Sequence, residues 1–196
     1  MIVGSGEYAY EVVEHWPKLP PGWSLGEVAG VAADSEDRVY VFNRGSHPMI
    51  VFDTDGNFLR SWGEELFSSP HSVRIGTDGI VYCVDRDNHT VRKLTPEGDL
   101  ILTLGERDRP SETGVQGLDF RTIGRSSGPF NHPTDIAFGP SGELFISDGY
   151  GNARVHRFSP GGELLASWGE PGEGKGCFNL PHAVWIDKAP RLYVAD

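Results

Sequence analysis

Two histidines are the first candidates for chemistry. His71 and His182 each follow a proline at the start of a short apolar run, PHSVRI and PHAVWI. Imidazole is the commonest metal ligand among the side chains. Three such ligands with an open fourth position describe a catalytic zinc site. A Pro-His pair can also do no more than cap the start of a strand, so the pairing of the two positions carries more than either alone. Tyr150 stands between Gly149 and Gly151 in SDGYGN, a setting in which a phenol can approach a ligand closely. Arg44, in FNRGS, offers a planar fork suited to a carboxylate. The plainer alternatives are an ordinary loop aromatic for Tyr150 and an ion pair with a neighbouring segment for Arg44. Arg86, in VDRDN, fits that ion-pair role. His47, His89 and His156 are expected at exposed positions, His132 at a rim, and His15 in a leader.

An internal repeat places these residues. Segments 28–63, 70–105 and 133–169 align, and another begins at Pro181 and runs to Asp196. Val31, Val73, Ile136 and Val184 form one column; Asn43, Asp85, Asp148 and Asp196 follow twelve residues later in every copy. Insertions therefore fall between the units, at 106–129 and 170–178. Each unit reads as four short strands, a to d, joined by Gly/Asp turns such as GTDG, DTDG and SPGG. Short strands at this regular spacing predict an all-β chain of radially repeated sheets, a β-propeller. The Trp-Gly or Leu-Gly that ends each unit reads as blade packing. Residues 1–27 form a leader in which Tyr8–Val13 is a candidate closing strand. A ring needs at least four blades and this repeat type usually makes six. About three and a half blades are present, so the expectation is a piece of a longer protein.

The topology also sorts the faces. Neighbouring strands alternate in direction, so the loop leading into strand a and the b–c loop share one end. Binding residues concentrate on such loops. His71 and His182 fall in one column at the start of strand a, the innermost strand, with Ala29 and Thr134 as their counterparts. They are two blades apart, which is about 120° in a ring of six. A third histidine two blades further on, beyond Asp196, would complete a threefold set. Arg44 and Tyr150 lie in b–c loops at the same end.

Composition removes other classes. Asp and Glu number 28 against 17 Lys and Arg, a formal charge of −11. Nucleic acid, which wants a basic stripe, is not expected as a partner. No apolar run reaches the roughly 18 residues of a membrane span, and residues 1–13 lack the basic and apolar regions of a signal peptide. Cys83 and Cys177 are too few and too far apart for a disulfide framework. A reduced, cytoplasmic compartment is the expectation.

The segments GVAADSEDRVYVFNRG, SSPHSV, PTDIAFGPSGELFISDGYGNARVHRFSPGGELLASWGE and FNLPHAVWI resemble the NHL-repeat peptidyl-α-hydroxyglycine α-amidating lyases, and the resemblance covers nearly the whole chain. It implies an NHL-type β-propeller, six-bladed and monomeric when complete. It also implies zinc-dependent cleavage of a small peptide-like carbinolamide into a peptide amide and glyoxylate. His71 and His182 match two of the family's three zinc histidines, Tyr150 its catalytic tyrosine and Arg44 a substrate-binding arginine. A structural calcium would take the backbone carbonyls of Val31 and Val73. The third histidine, an acidic calcium ligand and a second arginine would follow Asp196. A phenol has an ordinary pKa of about 10, so a catalytic base of this type needs a cation nearby; Arg44 and the zinc are the expected ones. One departure is visible. The animal members carry a cysteine just after the tyrosine, bridged to the loop leading into that blade. Here Gly151 stands at that position with no cysteine near Pro133, so that disulfide is absent. Two rivals stand beside this reading. One is a non-catalytic NHL propeller binding protein or peptide on its top face. The other is a lactonase-like hydrolase, whose axial metal would sit among carboxylate and amide oxygens rather than histidines.

Overall fold

The computed structural model describes residues 1–196. Short β-branched and aromatic runs between glycine turns make strands, and nearly all the regular structure is β. A small leading hairpin pairs β1 (Ile2–Val3) with β2 (Tyr10–Glu11). The first blade comprises β3 (Val28–Ala33), β4 (Val39–Asn43), β5 (Met49–Phe52) and β6 (Phe58–Trp62). The second comprises β7 (Pro70–Ile75), β8 (Val81–Asp85), β9 (Thr90–Leu94) and β10 (Leu100–Leu104). The third comprises β11 (Pro133–Phe138), β12 (Leu144–Asp148), β13 (Arg154–Phe158) and β14 (Leu164–Trp168). Each blade is a four-stranded antiparallel meander in chain order. Between the third blade and the last hairpin run two short parallel strands, β15 (Glu170–Pro171) and β16 (Cys177–Phe178). The hairpin itself pairs β17 (Ala183–Ile186) with β18 (Leu192–Ala195). The strands a, β3, β7, β11 and β17, lie next to one another in that order along the axis.

The hydrophobic core lies between blades rather than within one. Tyr40, Phe42, Met49 and Trp62 of the first blade pack on Val73, Val81, Cys83 and Leu94 of the second. Tyr82, Val84, Val91 and Leu104 pack on Phe130, Ile136, Leu144, Ile146 and Phe158 in the same way. The outer face of the first blade, Val41, Ile50 and Phe52, is covered by Trp16, Leu19, Trp23 and Leu25 of the leader. Within the stretch Tyr8–Val13, Tyr10–Glu11 pairs with Ile2–Val3 in the leading hairpin.

The Trp-Gly and Leu-Gly ends do pack blades, and they have a second task. Gly63, Gly105 and Gly169 have φ of +100°, +81° and +105°, the left-handed region that favours glycine. Against each lies an aromatic ring from the next lead-in loop, Phe67, Phe130 and Phe178 in turn. A Cβ on these glycines would stand 2.8, 2.8 and 2.5 Å from the ring. The glycine thus seats the loop that delivers the following strand a.

Two exposure expectations are corrected. His89 is buried and His156 fully so. His156 lies on strand c, whose two faces are both covered by flanking structure, whereas His89 lies in the b–c turn before strand c and is covered by the lead-in loop, the His132 N–H donating to its Nδ1 at 3.1 Å. His156 is bonded on both nitrogens, Nδ1 to Ser167 Oγ at 2.7 Å and Nε2 to Asp148 at 3.2 Å. His47 is half-buried, stacked on Trp23 with ring centroids 3.3 Å apart.

Candidate active site

One repeated device sets the loops that carry the candidate residues. The residue ending strand b turns its side chain back to accept backbone N–H groups of the loop leading into strand a. Asp85 accepts from Ser68 at 2.9 Å and Ser69 at 2.8 Å. Asp148 accepts from Asn131 at 2.9 Å, and Asp196 from Asn179 at 2.8 Å and Leu180 at 2.7 Å. Asn43 does the same with Gly26 at 3.1 Å. Carboxylates that accept backbone N–H groups make strong, directional bonds. This is why Asn or Asp stands at the same place in every copy.

Strand a then bulges where the histidine column begins. The pairing of β7 with β8 slips between Pro70 and Ser72, so His71 is the extra residue. The same slip falls at Thr134 and at Ala29. A bulge re-aims the side chain it carries. His71 is brought to within 5.0 Å of His182, ring centre to ring centre. Two histidines 111 positions apart in sequence thereby meet at the axis. His71 Nδ1 lies 2.7 Å from the Thr134 carbonyl oxygen, which can only accept, so Nδ1 carries the proton and Nε2 keeps its lone pair. Burial drives the His71 pKa down to about 4; the bond to Thr134 opposes the shift and the charges of His182, Arg44 and Arg86 add to it. A neutral imidazole with a fixed tautomer is the form that binds a metal. Thr134 reaches the second histidine as well, with Oγ1 2.9 Å from the carbonyl oxygen of Pro181, the residue before His182.

Tyr150 completes the group. Its hydroxyl is 3.1 Å from His182 Nε2, and its ring stands edge-on to both imidazoles, 5.6 Å from His71 and 5.5 Å from His182. Its loop is held without a disulfide. Gly151 donates to the Asn131 carbonyl at 3.1 Å, and Asn131 is itself fixed on the Asp148 carboxylate. A side chain at Gly151 would collide with Asn131.

The arginines separate. Arg44 is exposed; its Nε donates to the Pro70 carbonyl at 3.0 Å and Nη1 to Glu27 at 2.8 Å. Arg86 binds Asp87 through two bonds of 2.7 and 3.1 Å, within its own turn rather than across to a neighbouring blade. Its guanidinium carbon lies 5.6 Å from the centre of the Tyr150 ring. The cation beside the tyrosine is thus Arg86, where Arg44 was expected. His132 lies 3.5 Å from Asp87 and half-buried, behind the arginine.

Val31 and Val73 line an open axial cavity of about 230 Å³ together with His71, His182, Thr134 and Asp135. Asp135 is already engaged, by Ser72, by Arg74 at 2.9 Å and by the Val184 N–H at 3.2 Å. The fold therefore brings His71, His182 and Tyr150 into mutual contact and leaves Arg44 on the same end. Sequence reasoning missed Thr134, Asn131 and the placing of Arg86. The column position of Thr134, between the two histidines, was the one available signal.

Residues 130–158 match the family described as NHL repeat. A peptidylglycine alpha-amidating monooxygenase from Rattus norvegicus is 32% identical over 98% of this chain and 22% of its own length. The peptidyl-alpha-hydroxyglycine alpha-amidating lyase 2 of Drosophila melanogaster is 29% identical over 94% of this chain and 48% of its own. The chain thus spans less than half of either relative. Among solved structures, a streptogramin B lyase superposes with a TM-score of 0.65 over 89% of this chain and 49% of its own. At 11% identity that likeness shows the fold alone.

Proposed function

This chain is an NHL-repeat β-propeller related over nearly its whole length to the peptidyl-α-hydroxyglycine α-amidating lyases, and on that premise we propose that it carries part of a lyase site for carbinolamides. The reaction is conversion of peptide-NH-CH(OH)-COO⁻ into a peptide amide and glyoxylate. The observation that carries the reading is the 3.1 Å bond between Tyr150 and His182 in a group that also contains His71. A peptide-binding propeller without chemistry gives no reason for that arrangement.

His71 and His182 would hold zinc through their Nε2 atoms, supplying two nitrogens of its ligand set; His182 Nε2 would give up its contact with Tyr150 Oη to the metal, leaving the hydroxyl beside the zinc and free for the substrate. Bound there, zinc would act as a Lewis acid at the substrate hydroxyl or carboxylate. The fit rests on the proton of His71 being fixed on Nδ1 by Thr134 and on the 5.0 Å separation of the two rings. The carbonyls of Val31 and Val73 would hold a structural calcium on the axis.

Arg44 would take the substrate carboxylate. Its partner Glu27 is mostly exposed, and a surface ion pair of this kind is worth little, so an incoming carboxylate can replace it. Tyr150 Oη would remove the proton from the substrate hydroxyl. The C–O bond becomes C=O, the C–N bond breaks, and the same proton is delivered to the departing amide nitrogen, which balances the step. The test is glyoxylate release from an α-hydroxyhippurate substrate. Release should stop on chelation and return with zinc. His71→Ala and His182→Ala should each lower zinc affinity and turnover together. Unchanged metal content in both variants would remove the zinc assignment.

A further inference from the structure

Arg44 and Arg86 occupy the same place in successive blades, each directly after the Asn or Asp that ends strand b. Their surroundings differ. Arg44 points to a carbonyl and an exposed glutamate. Both backbones are anchored alike, the Arg44 N–H on the Glu27 carbonyl at 2.9 Å and the Arg86 N–H on the Ser69 carbonyl at 3.0 Å, but only Arg86 has its guanidinium in a two-bond fork, with Asp87. That fork fixes the plane of the guanidinium and places it over the face of Tyr150. Tyr150 needs such a contact, because glycines flank it on both sides and its own backbone does little to fix the ring. Its other neighbours, His71 and His182, meet it edge-on.

We propose that Arg86 is a positioning residue for Tyr150: held by Asp87, it presses the phenol ring into register with His182 and takes no part in binding the substrate carboxylate. The inference rests on the lyase reading for its kinetic consequence but not for its structural one. The two arginines of the column thus divide the work, Arg44 for the substrate and Arg86 for the tyrosine. A guanidinium over an aromatic face is a modest but directional attraction when partly desolvated. Arg86 is mostly covered, its side chain 19% exposed.

The experiment uses the protein with Arg86→Met, Arg86→Lys, Tyr150→Phe and the double variant R86M/Y150F. Arg86→Met should lower kcat roughly 5- to 30-fold, the rate equivalent of a cation–π contact, with KM changed less than about twofold. Arg86→Lys keeps a cation beside Asp87 without the planar fork and should recover part of the loss. In the Tyr150→Phe background the Arg86→Met change should add less than about twofold, because the residue it acts through is already disabled. A loss of equal size in both backgrounds, or a rise in KM with kcat unchanged, would overturn the proposal and make Arg86 a substrate ligand. A second readout needs no turnover. With tyrosine labelled at the ring carbon bearing the hydroxyl, the NMR signal that vanishes in Tyr150→Phe is that of Tyr150. Arg86→Met should shift or broaden it, and Arg86→Lys should do so less. A Tyr150 signal unmoved in both would also overturn the proposal. If the parent releases no glyoxylate the lyase reading falls, and the NMR comparison alone decides the role of Arg86.

Discussion

Replacing Asp85 by Asn tests the logic of the repeat and of the loop that carries His71. Asp85 is fully buried and accepts four donors: the N–H groups of Ser68 and Ser69, Asn88 Nδ2 at 2.6 Å and Arg92 Nη1 at 3.2 Å. Arg92 is itself buried, its side chain 4% exposed. An amide offers one acceptor where the carboxylate offers two, and it leaves the guanidinium without its counter-charge. Stranding one member of a buried pair costs about 3–5 kcal/mol. For a chain of this length that is a melting-temperature drop on the order of 10 °C. The blades themselves supply the control. Opposite the same position of strand b stand Ile50, Arg92 and His156 in successive blades. Asn43 is found with Ile50, Asp85 with Arg92, and Asp148 with His156; a buried charge appears only with its partner. Asn43 satisfies its amide N–H groups on the carbonyls of His47 and Pro48. The double variant D85N/R92I copies the first blade and should lie within about 1–2 kcal/mol of the parent, a recovery of about 2–3 kcal/mol relative to D85N alone. Urea unfolding with an unchanged m-value is the assay. Losses that simply add, with no recovery in the double variant, would show that Asp85 and Arg92 are not a coupled buried pair.

Other expectations follow from the same geometry. In metal-free protein His71 resists protonation down to about 4 while its unfolded counterpart titrates near 6.5, so the unfolded state takes up the proton first. Stability should be level above about pH 7 and fall as pH drops from about 6.5 to about 4, by on the order of 3 kcal/mol; melting in chelator across that range checks it. Burial lowers His89 and His132 in the same direction, so His71→Gln should reduce the slope without abolishing it. Thr134→Val removes the hydroxyl from the Pro181 carbonyl and should cost about 1–2 kcal/mol. The same variant should loosen zinc about tenfold, measured by competition with a chromogenic chelator. Gly169→Ala meets both a positive φ and the Phe178 ring, and should lose upwards of about 2 kcal/mol in the same unfolding assay.

The blades were legible because their signals are local and repeated. Turn glycines, four short runs per unit and the constant twelve-residue spacing specify a meander before any tertiary contact is known. The histidine column was legible for the same reason. The bulge at His71 was not, since a slip in pairing depends on both strands at once. The Asp column showed its spacing but not its task, because the N–H groups it accepts lie 16 or 17 residues earlier in the chain. His89 and His156 were expected at exposed positions because they follow a b–c loop or lie on strand c; the cover comes from elsewhere in the chain, for His89 from a loop 43 residues away. Arg44 and Arg86 look alike in sequence; they differ in that Arg86 stands in the blade next to Tyr150 and has Asp87 beside it to close its fork. Tyr8–Val13 has the composition of a strand, and Tyr10–Glu11 within it pairs with Ile2–Val3.

In the proposed lyase, Tyr150 moves a proton in a carbinolamide cleavage centred on His71 and His182. The direct measurement is glyoxylate release from α-hydroxyhippurate by zinc-loaded parent and Tyr150→Phe protein, side by side and with metal content matched. The parent should turn over and the variant should be slower by roughly 10²- to 10⁴-fold in kcat, the size of a general-base contribution, with KM little changed. A variant as fast as its parent would contradict the role of Tyr150, and a zinc-loaded parent that releases no glyoxylate would contradict the lyase.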